Sequence, residues 1–282
     1  MSQAKWTEVI KPTRSLFDIH VKELWEYRDL LVMFVKRDYS ASYKQTILGP
    51  LWHLIQPIFP TIIFTFAFGK IARISTDQIP APLFYLSGLL FWNYFLDCYT
   101  RTSNVFVSNA NIFGKVYFPR LILPVSFTIS SLMRFVSQLV LFVIAWVYYL
   151  VTQPEHLQMH AEAFLFPVLV LLMAGFALGA GLIVSSLSSR YRDLSILITF
   201  FVSLLQYATC VIYPVSAVPE KYRHLVLLNP LTPVIESFRY AFLGSGHFSY
   251  GSLLYSFVFM VILIVVGILS FNKVERTFMD TV

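Results

Sequence analysis

Long apolar runs alternate with short polar segments along almost the whole chain. They fall at Leu48–Phe68, Pro82–Tyr99, Leu121–Val151, Ala163–Leu187, Leu194–Tyr213 and Leu253–Phe271. A helix needs about 20 apolar residues to cross the hydrocarbon core, and only helices and closed barrels satisfy their backbone polar groups there. The pattern predicts an all-α polytopic membrane protein with six transmembrane helices. Ahead of the first run, Phe17, Val21, Leu24, Leu31 and Val35 recur at helical spacing, opposite Asp18, Lys22, Glu26 and Asp29. That periodicity predicts an amphipathic helix over Leu16–Val35 lying on the membrane surface, either as a lipid anchor or as a docking surface for a partner. Trp6, Trp25 and Tyr27 suit the headgroup zone, and Lys36-Arg37 suits anionic lipid heads.

The polar segments are also informative. The stretch from Arg101 to Arg120 contains Asn-Ile-Phe-Gly-Lys-Val-Tyr-Phe-Pro-Arg from Asn111, long enough for a short surface helix ended by Gly114 and Pro119. Read as a connector it needs no further role; read through Phe113, Tyr117 and Phe118 among basic residues, it is an exposed protein-binding surface. The segment Pro214–Ser252 is punctuated by Pro214, Pro219, Pro230 and Pro233, and its apolar runs are too short to span. Two short helices dipping back into the membrane before the last span fit it, with a surface loop as the alternative.

Composition supports the membrane assignment. The chain is 57% hydrophobic and 13% charged, where soluble domains carry about 25% charge. Basic residues set the orientation. Eight precede Leu48, followed on the same side by Arg101, Lys115, Arg120, Arg190, Arg192, Lys273 and Arg276. The other side has Lys70, Arg73, Lys221, Arg223 and Arg239, and Arg134 lies within the third run. Both termini are therefore expected in the cytoplasm, with no cleaved signal peptide, and the net charge of +6 reads as a topology signal with no nucleic-acid partner.

No G-x-x-x-x-G-K-[ST] loop occurs, so any ATP must be bound by another chain. The six histidines are dispersed, no metal site is expected, and His156 and His160 read as a solvated loop. Cys98 and Cys210 sit at depths too different for a disulfide, which leaves two buried thiols. Asp97 and Arg134 are the charges well inside the spans and are placed to pair across the second and third helices, as a structural clamp or a proton relay. The abundant aromatics face lipid or packing neighbours, or line a passage in which ring faces offer sugars a sequence-tolerant surface. A membrane enzyme acting on polyprenyl-linked sugars would need clustered charge at one face, and an ion-coupled carrier an inverted repeat; neither pattern is visible.

Several stretches stand out together: Arg37-Asp38-Tyr39, Tyr43-Lys44-Gln45-Thr46-Ile47-Leu48-Gly49-Pro50-Leu51-Trp52 and Lys115-Val116-Tyr117-Phe118-Pro119-Arg120-Leu121-Ile122-Leu123-Pro124. Arg190-Tyr191-Arg192-Asp193-Leu194, Tyr213-Pro214-Val215, Asn229-Pro230-Leu231-Thr232-Pro233 with Phe238-Arg239, and Glu275-Arg276-Thr277-Phe278 follow. In this order and spacing the chain resembles the membrane subunit of type-2 ABC transporters that export polysaccharides, the O-antigen, capsule and teichoic-acid exporters. The likeness runs from about Leu31 to the C-terminus; Ser42 departs from it, standing where a basic residue is expected.

The resemblance implies one permease domain over residues 1–282: a cytoplasmic segment 1–47 with an interface helix, a six-span bundle 48–271 and a cytoplasmic tail 272–282. It further implies a homodimer in the cytoplasmic (inner) membrane, two separate ABC ATPase subunits binding ATP and Mg, and a lipid-linked polysaccharide moving through a channel between the protomers. ATPase coupling then falls to Asn109, Asn111, Phe113, Lys115 and Tyr117, with Arg190, Arg192 and Asp193 as a second contact. Trp52, Phe59 and Tyr207 become channel-lining residues. Tyr213, Pro214, Pro219, Asn229, Pro230 and Arg239 become parts of an outer gate spanning Pro214–Gly244. An exporter of a small lipid or drug shares this architecture and is the alternative.

Overall fold

A computed structural model describes residues 21–44, 48–49, 51–113, 118–189 and 191–278, and the described residues form helices and turns without a strand. Two short helices open it, α1 (Val21–Glu26) and α2 (Arg28–Tyr43). The helix α3 (Leu51–Phe64) runs on as a π-helix to Ile71, and α4 (Ala81–Ser103) follows. Two single turns, α5 (Val105–Ser108) and α6 (Ala110–Phe113), lead to α7 (Ile122–Thr152), α8 (Phe166–Ser188) and α9 (Arg192–Ala208). The hairpin helices α10 (Glu220–Leu227) and α11 (Thr232–Leu243) precede α12 (Tyr250–Phe278).

Among the described residues, four helical stretches are long and apolar enough to cross a membrane: Leu51–Ile71, Ile122–Thr152, Ala161–Ser188 and Tyr250–Val274. The helix α4 has the length, at 23 residues, but carries Ser87, Asn93, Asp97 and Arg101. It keeps that polarity because it is the centre of the bundle, packed by α3, α7, α8, α9 and α11, with Leu83 to Trp92 buried without interruption. Its aromatic residues interlock with Phe135, Phe166 and Phe238 from three other helices. The helices α8 and α12 meet through glycine. A side chain at Gly179 would stand 2.8 Å from the backbone of Leu263, so only glycine permits this approach.

The fifth run was expected to continue to Tyr213, yet α9 ends at Ala208 with Thr209 extended. Past this end the carbonyls of Cys210 and Val211 accept from a buried arginine, and Pro214, without an N–H, cannot continue a helix through them. The N-terminal helix also differs from the expected Leu16–Val35. Residues 16–20 lie outside the described residues, the helix breaks at Tyr27, and α2 continues to Tyr43. Its inward stripe runs through Leu24, Tyr27, Leu31, Phe34 and Asp38, a helical period that extends past the Lys36-Arg37 pair.

Candidate functional site

Chemistry-bearing side chains collect at the two ends of the bundle. At the hairpin end, α11 begins behind Pro233, which suits the first turn of a helix, and ends on Gly244 in the left-handed conformation. This orients Glu236 and Arg239 inward, one turn apart, each only 1% exposed. Arg239 Nε donates to Ser87 Oγ at 3.2 Å and Nη1 to Glu236 Oε1 at 3.0 Å, with a second bond from Nη1 to the carbonyl of Cys210. Nη2 donates to the carbonyls of Val211 and Phe84 at 3.0 and 3.3 Å. All five guanidinium donors are thus used, and the cation lies 3.6 Å over the Phe84 ring. The free oxygen of Glu236 accepts the N–H of His247 at 3.0 Å. Gly88 makes room for this, since a Cβ there would stand 2.8 Å from Nη2.

Arg239 was expected among the charges of the outer segment. The structure corrects this to a buried node joining α4, the end of α9, α11 and the loop after it. Pro214 is buried, Tyr213 half-buried, and Pro219 caps α10 at the surface. Asn229 ties the α10–α11 turn to Thr209 at 2.9 Å, and the carbonyls of Leu228 and Pro230 accept from Tyr255 and Ser256 of α12. The loop around His160 is largely exposed, as expected, but the His160 side chain is half-buried within it. Its ring stacks on Tyr240 at 4.3 Å and its Nδ1 lies 3.0 Å from the Tyr240 carbonyl. The side chain of His156 lies outside the described residues.

At the opposite end, Asp97 of α4 accepts from both Arg134 and Ser131 of α7. One turn further along α4, Arg101 reaches Asp38 of α2, which also takes Arg37 at 2.8 Å. The Arg101 guanidinium rests 4.7 Å above the Phe127 ring. A crevice lined by Asp38, Ser42, His53, Arg101 and Arg134 draws α2, α3, α4 and α7 together. Sequence reasoning missed Asp38 and Arg101; the available signal was Asp38 standing four residues after Phe34 on the inward stripe.

The connection after α4 overturns one premise. Phe113 and Phe118 were expected to be exposed, yet they are 3% and 5% exposed. They pack with Phe34, Phe106, Leu123 and Phe271, and Arg120 covers Phe113 at 5.3 Å. Apolar rings at the start of α7 are withdrawn from water by α2 and α12, which lie far away in sequence. Asn109 is also buried and bonds back to the Val105 carbonyl at 3.1 Å. Lys115, Tyr117 and Arg190 lie outside the described residues, as do the side chains of Asn111 and Arg192, whereas Asp193 is exposed. Trp52, Phe59 and Tyr207 project outward, at 44%, 62% and 54% exposed. They stand among other bulky apolar residues on α3 and α9. Cys98 and Cys210 are free and buried.

The described residues form a helical bundle with charged joints at both ends and aromatic outer faces. The profile described as "ABC-2 type transporter" matches residues 29–243. The O-antigen export system permease protein RfbA of Klebsiella pneumoniae is 30% identical over 254 residues, 89% of this chain and 94% of its own length. RfbA of Myxococcus xanthus is 31% identical over 225 residues, 79% and 83% of the two chains. The polysialic acid transport protein KpsM of Escherichia coli is 24% identical over 254 residues, 87% and 93%.

Proposed function

Because the chain belongs to the ABC-2 type transporter family, we propose that it is the membrane subunit of an ATP-driven exporter that moves a lipid-linked polysaccharide across the cytoplasmic membrane. The observation that carries this reading is the near end-to-end match to O-antigen export permeases. The chain is a polysaccharide-exporter permease, and two ABC ATPase subunits in the cytoplasm supply the energy. Two copies face each other across a channel, six helices of each cross the membrane, and both termini lie in the cytoplasm.

The structure supports specific roles. Trp52, Phe59 and Tyr207 stand on helix faces that the single chain leaves open, where a second copy would enclose a passage. Aromatic faces along it offer each sugar a similar stacking surface, which suits a repeating polymer. The hairpin α10–α11 closes the outer end. The α5–α6 connection and the segment Arg190–Asp193 face the ATPases, with Phe113 holding the connection in place from inside. ATP shifts this assembly because the ATPases bind it more tightly in the state that opens the channel.

Deleting the gene in its host tests the reading through two quantities, polysaccharide at the cell surface and lipid-linked polysaccharide inside. Loss at the surface with accumulation inside is expected. Normal surface polysaccharide, in a host without a second such exporter, would refute the assignment in favour of a small lipid or drug.

A further inference from the structure

Two ion pairs fasten α4 to its neighbours at the α2 end, and they are built in opposite senses. In one, α4 supplies the carboxylate, Asp97, to Arg134; in the other it supplies the guanidinium, Arg101, to Asp38. Asp97 and Arg101 are therefore an acid and a base four residues apart on one helix face, with the acid N-terminal, the orientation in which such residues pair with each other. Asp38 likewise has a substitute on its own helix, since Arg37 Nη2 already lies 2.8 Å from it. We propose that Arg101 is a two-position switch. With α2 docked it pairs with Asp38, and when α2 lifts off it turns back by one helical turn onto Asp97, leaving Asp38 to Arg37.

Separating a partly buried ion pair ordinarily strands two charges, which keeps such a contact closed. Here each half has a replacement within its own helix, so α2 can leave α4 without stranding either. The path is also prepared. The Phe127 ring underlies Arg101 at 4.7 Å, and a narrow crevice of about 10 Å³, room for about one water, lies beside the pairs, lined by Asp38, His53, Arg101 and Arg134. Asp97 can receive the guanidinium while Ser131 and Arg134 stay on its oxygens. The Asp38–Arg101 contact thus becomes a reversible joint between the surface helix and the spanning bundle.

The test is the rate at which a maleimide reagent labels Leu31→Cys in the full chain, reconstituted in lipid nanodiscs. Leu31 is half-buried on the inward stripe of α2, seven residues before Asp38, and the native Cys98 and Cys210 are 0% exposed. Labelling then reports lifting of α2. Asp38→Asn weakens the docked state and raises the rate by roughly two- to fivefold, the range of a partly solvated ion pair. Asp97→Asn weakens the lifted state and lowers the rate below wild type. Arg101→Gln removes a partner from both states and leaves the rate near wild type. An Arg101→Gln rate as high as that of Asp38→Asn, or an Asp97→Asn rate equal to or above wild type, would overturn the switch and leave a fixed clamp. If Asp38→Asn does not fold, the Asp97→Asn and Arg101→Gln rates decide between the two. The readout involves neither nucleotide nor cargo, so it is independent of the export reading.

Discussion

Replacing Arg239 with Met isolates what the buried node contributes. The substitution keeps a long flexible side chain, removes five hydrogen bonds and leaves Glu236, 1% exposed, with only the His247 amide as a partner. Removing one member of a buried ion pair costs about 3–5 kcal/mol, because the remaining charge is uncompensated. The carbonyls of Cys210 and Val211 also lose their donor, at about 1–3 kcal/mol for each that stays buried without water. These costs overlap, since a loosened loop admits water to all of the groups at once, so a total of about 3–5 kcal/mol is expected. Equilibrium unfolding of the purified chain in detergent micelles measures it, with the exposed Lys36→Met as a control that should stay within about 0.5 kcal/mol of wild type. Adding Glu236→Gln should recover about 1–3 kcal/mol, since a neutral amide is cheaper to bury than an unpaired carboxylate. An Arg239→Met effect no larger than the control's, or no recovery in the double variant, would show that the node does not hold the hairpin.

Three further outcomes follow from the packing. Trp52→Ala should slow export while leaving subunit amount unchanged, as its ring is 44% exposed in the single chain; normal export at normal protein levels would place the ring against lipid. Phe113→Ala should lower folding stability by about 3–5 kcal/mol, the usual cost of deleting a buried phenyl ring. A variant that folds normally and loses only its ATPase subunit would instead put that ring at the interface. Gly179→Val should force α8 from α12, because a Cβ stands 2.8 Å from Leu263 backbone, and should abolish the monodisperse peak in size-exclusion chromatography; an unchanged elution profile would refute that contact.

The helical skeleton was legible because lipid imposes a simple rule, and the apolar runs lie within a few residues of α3, α4, α7, α8 and α12. The charged joints were not legible in the same way. Arg239 looks like one more basic residue in an outer segment, and its partners Phe84 and Ser87 lie more than 150 residues upstream. No local pattern announces such a meeting. Phe113 and Phe118 misled for the opposite reason: aromatic rings beside Lys115 and Arg120 resemble a wet docking surface until Phe34 and Phe271 arrive from either end of the chain. The α2 stripe was half legible. Its period was read as far as Val35, whereas the inward line passes through Phe34, and a carboxylate at the next inward position, Asp38, reads as a stop unless Arg101 is known to face it.

The joints also indicate which helices are free to move. The helix α4 is gripped near its start by Arg239, through Phe84 and Ser87, and near its end by Arg134 and Asp38. The helices α7, α8 and α11 pack against it with large aromatic residues. The helix α3 is built the other way round. Its buried positions are His53, Pro57 and Thr61, while Trp52, Phe59, Ile62, Ile63 and Phe66 point away from the bundle. A stripe of small or polar residues buries little apolar area, and attraction scales with that area. Pro57 and Pro60 remove helical N–H donors, and Thr61 occupies the Pro57 carbonyl with its own hydroxyl at 2.7 Å. The middle of α3 is therefore bound with little apolar contact and interrupted by proline. A passage that opens beside α3 can widen by bending or shifting this one helix, without breaking either charged joint or the aromatic core that α4 holds together.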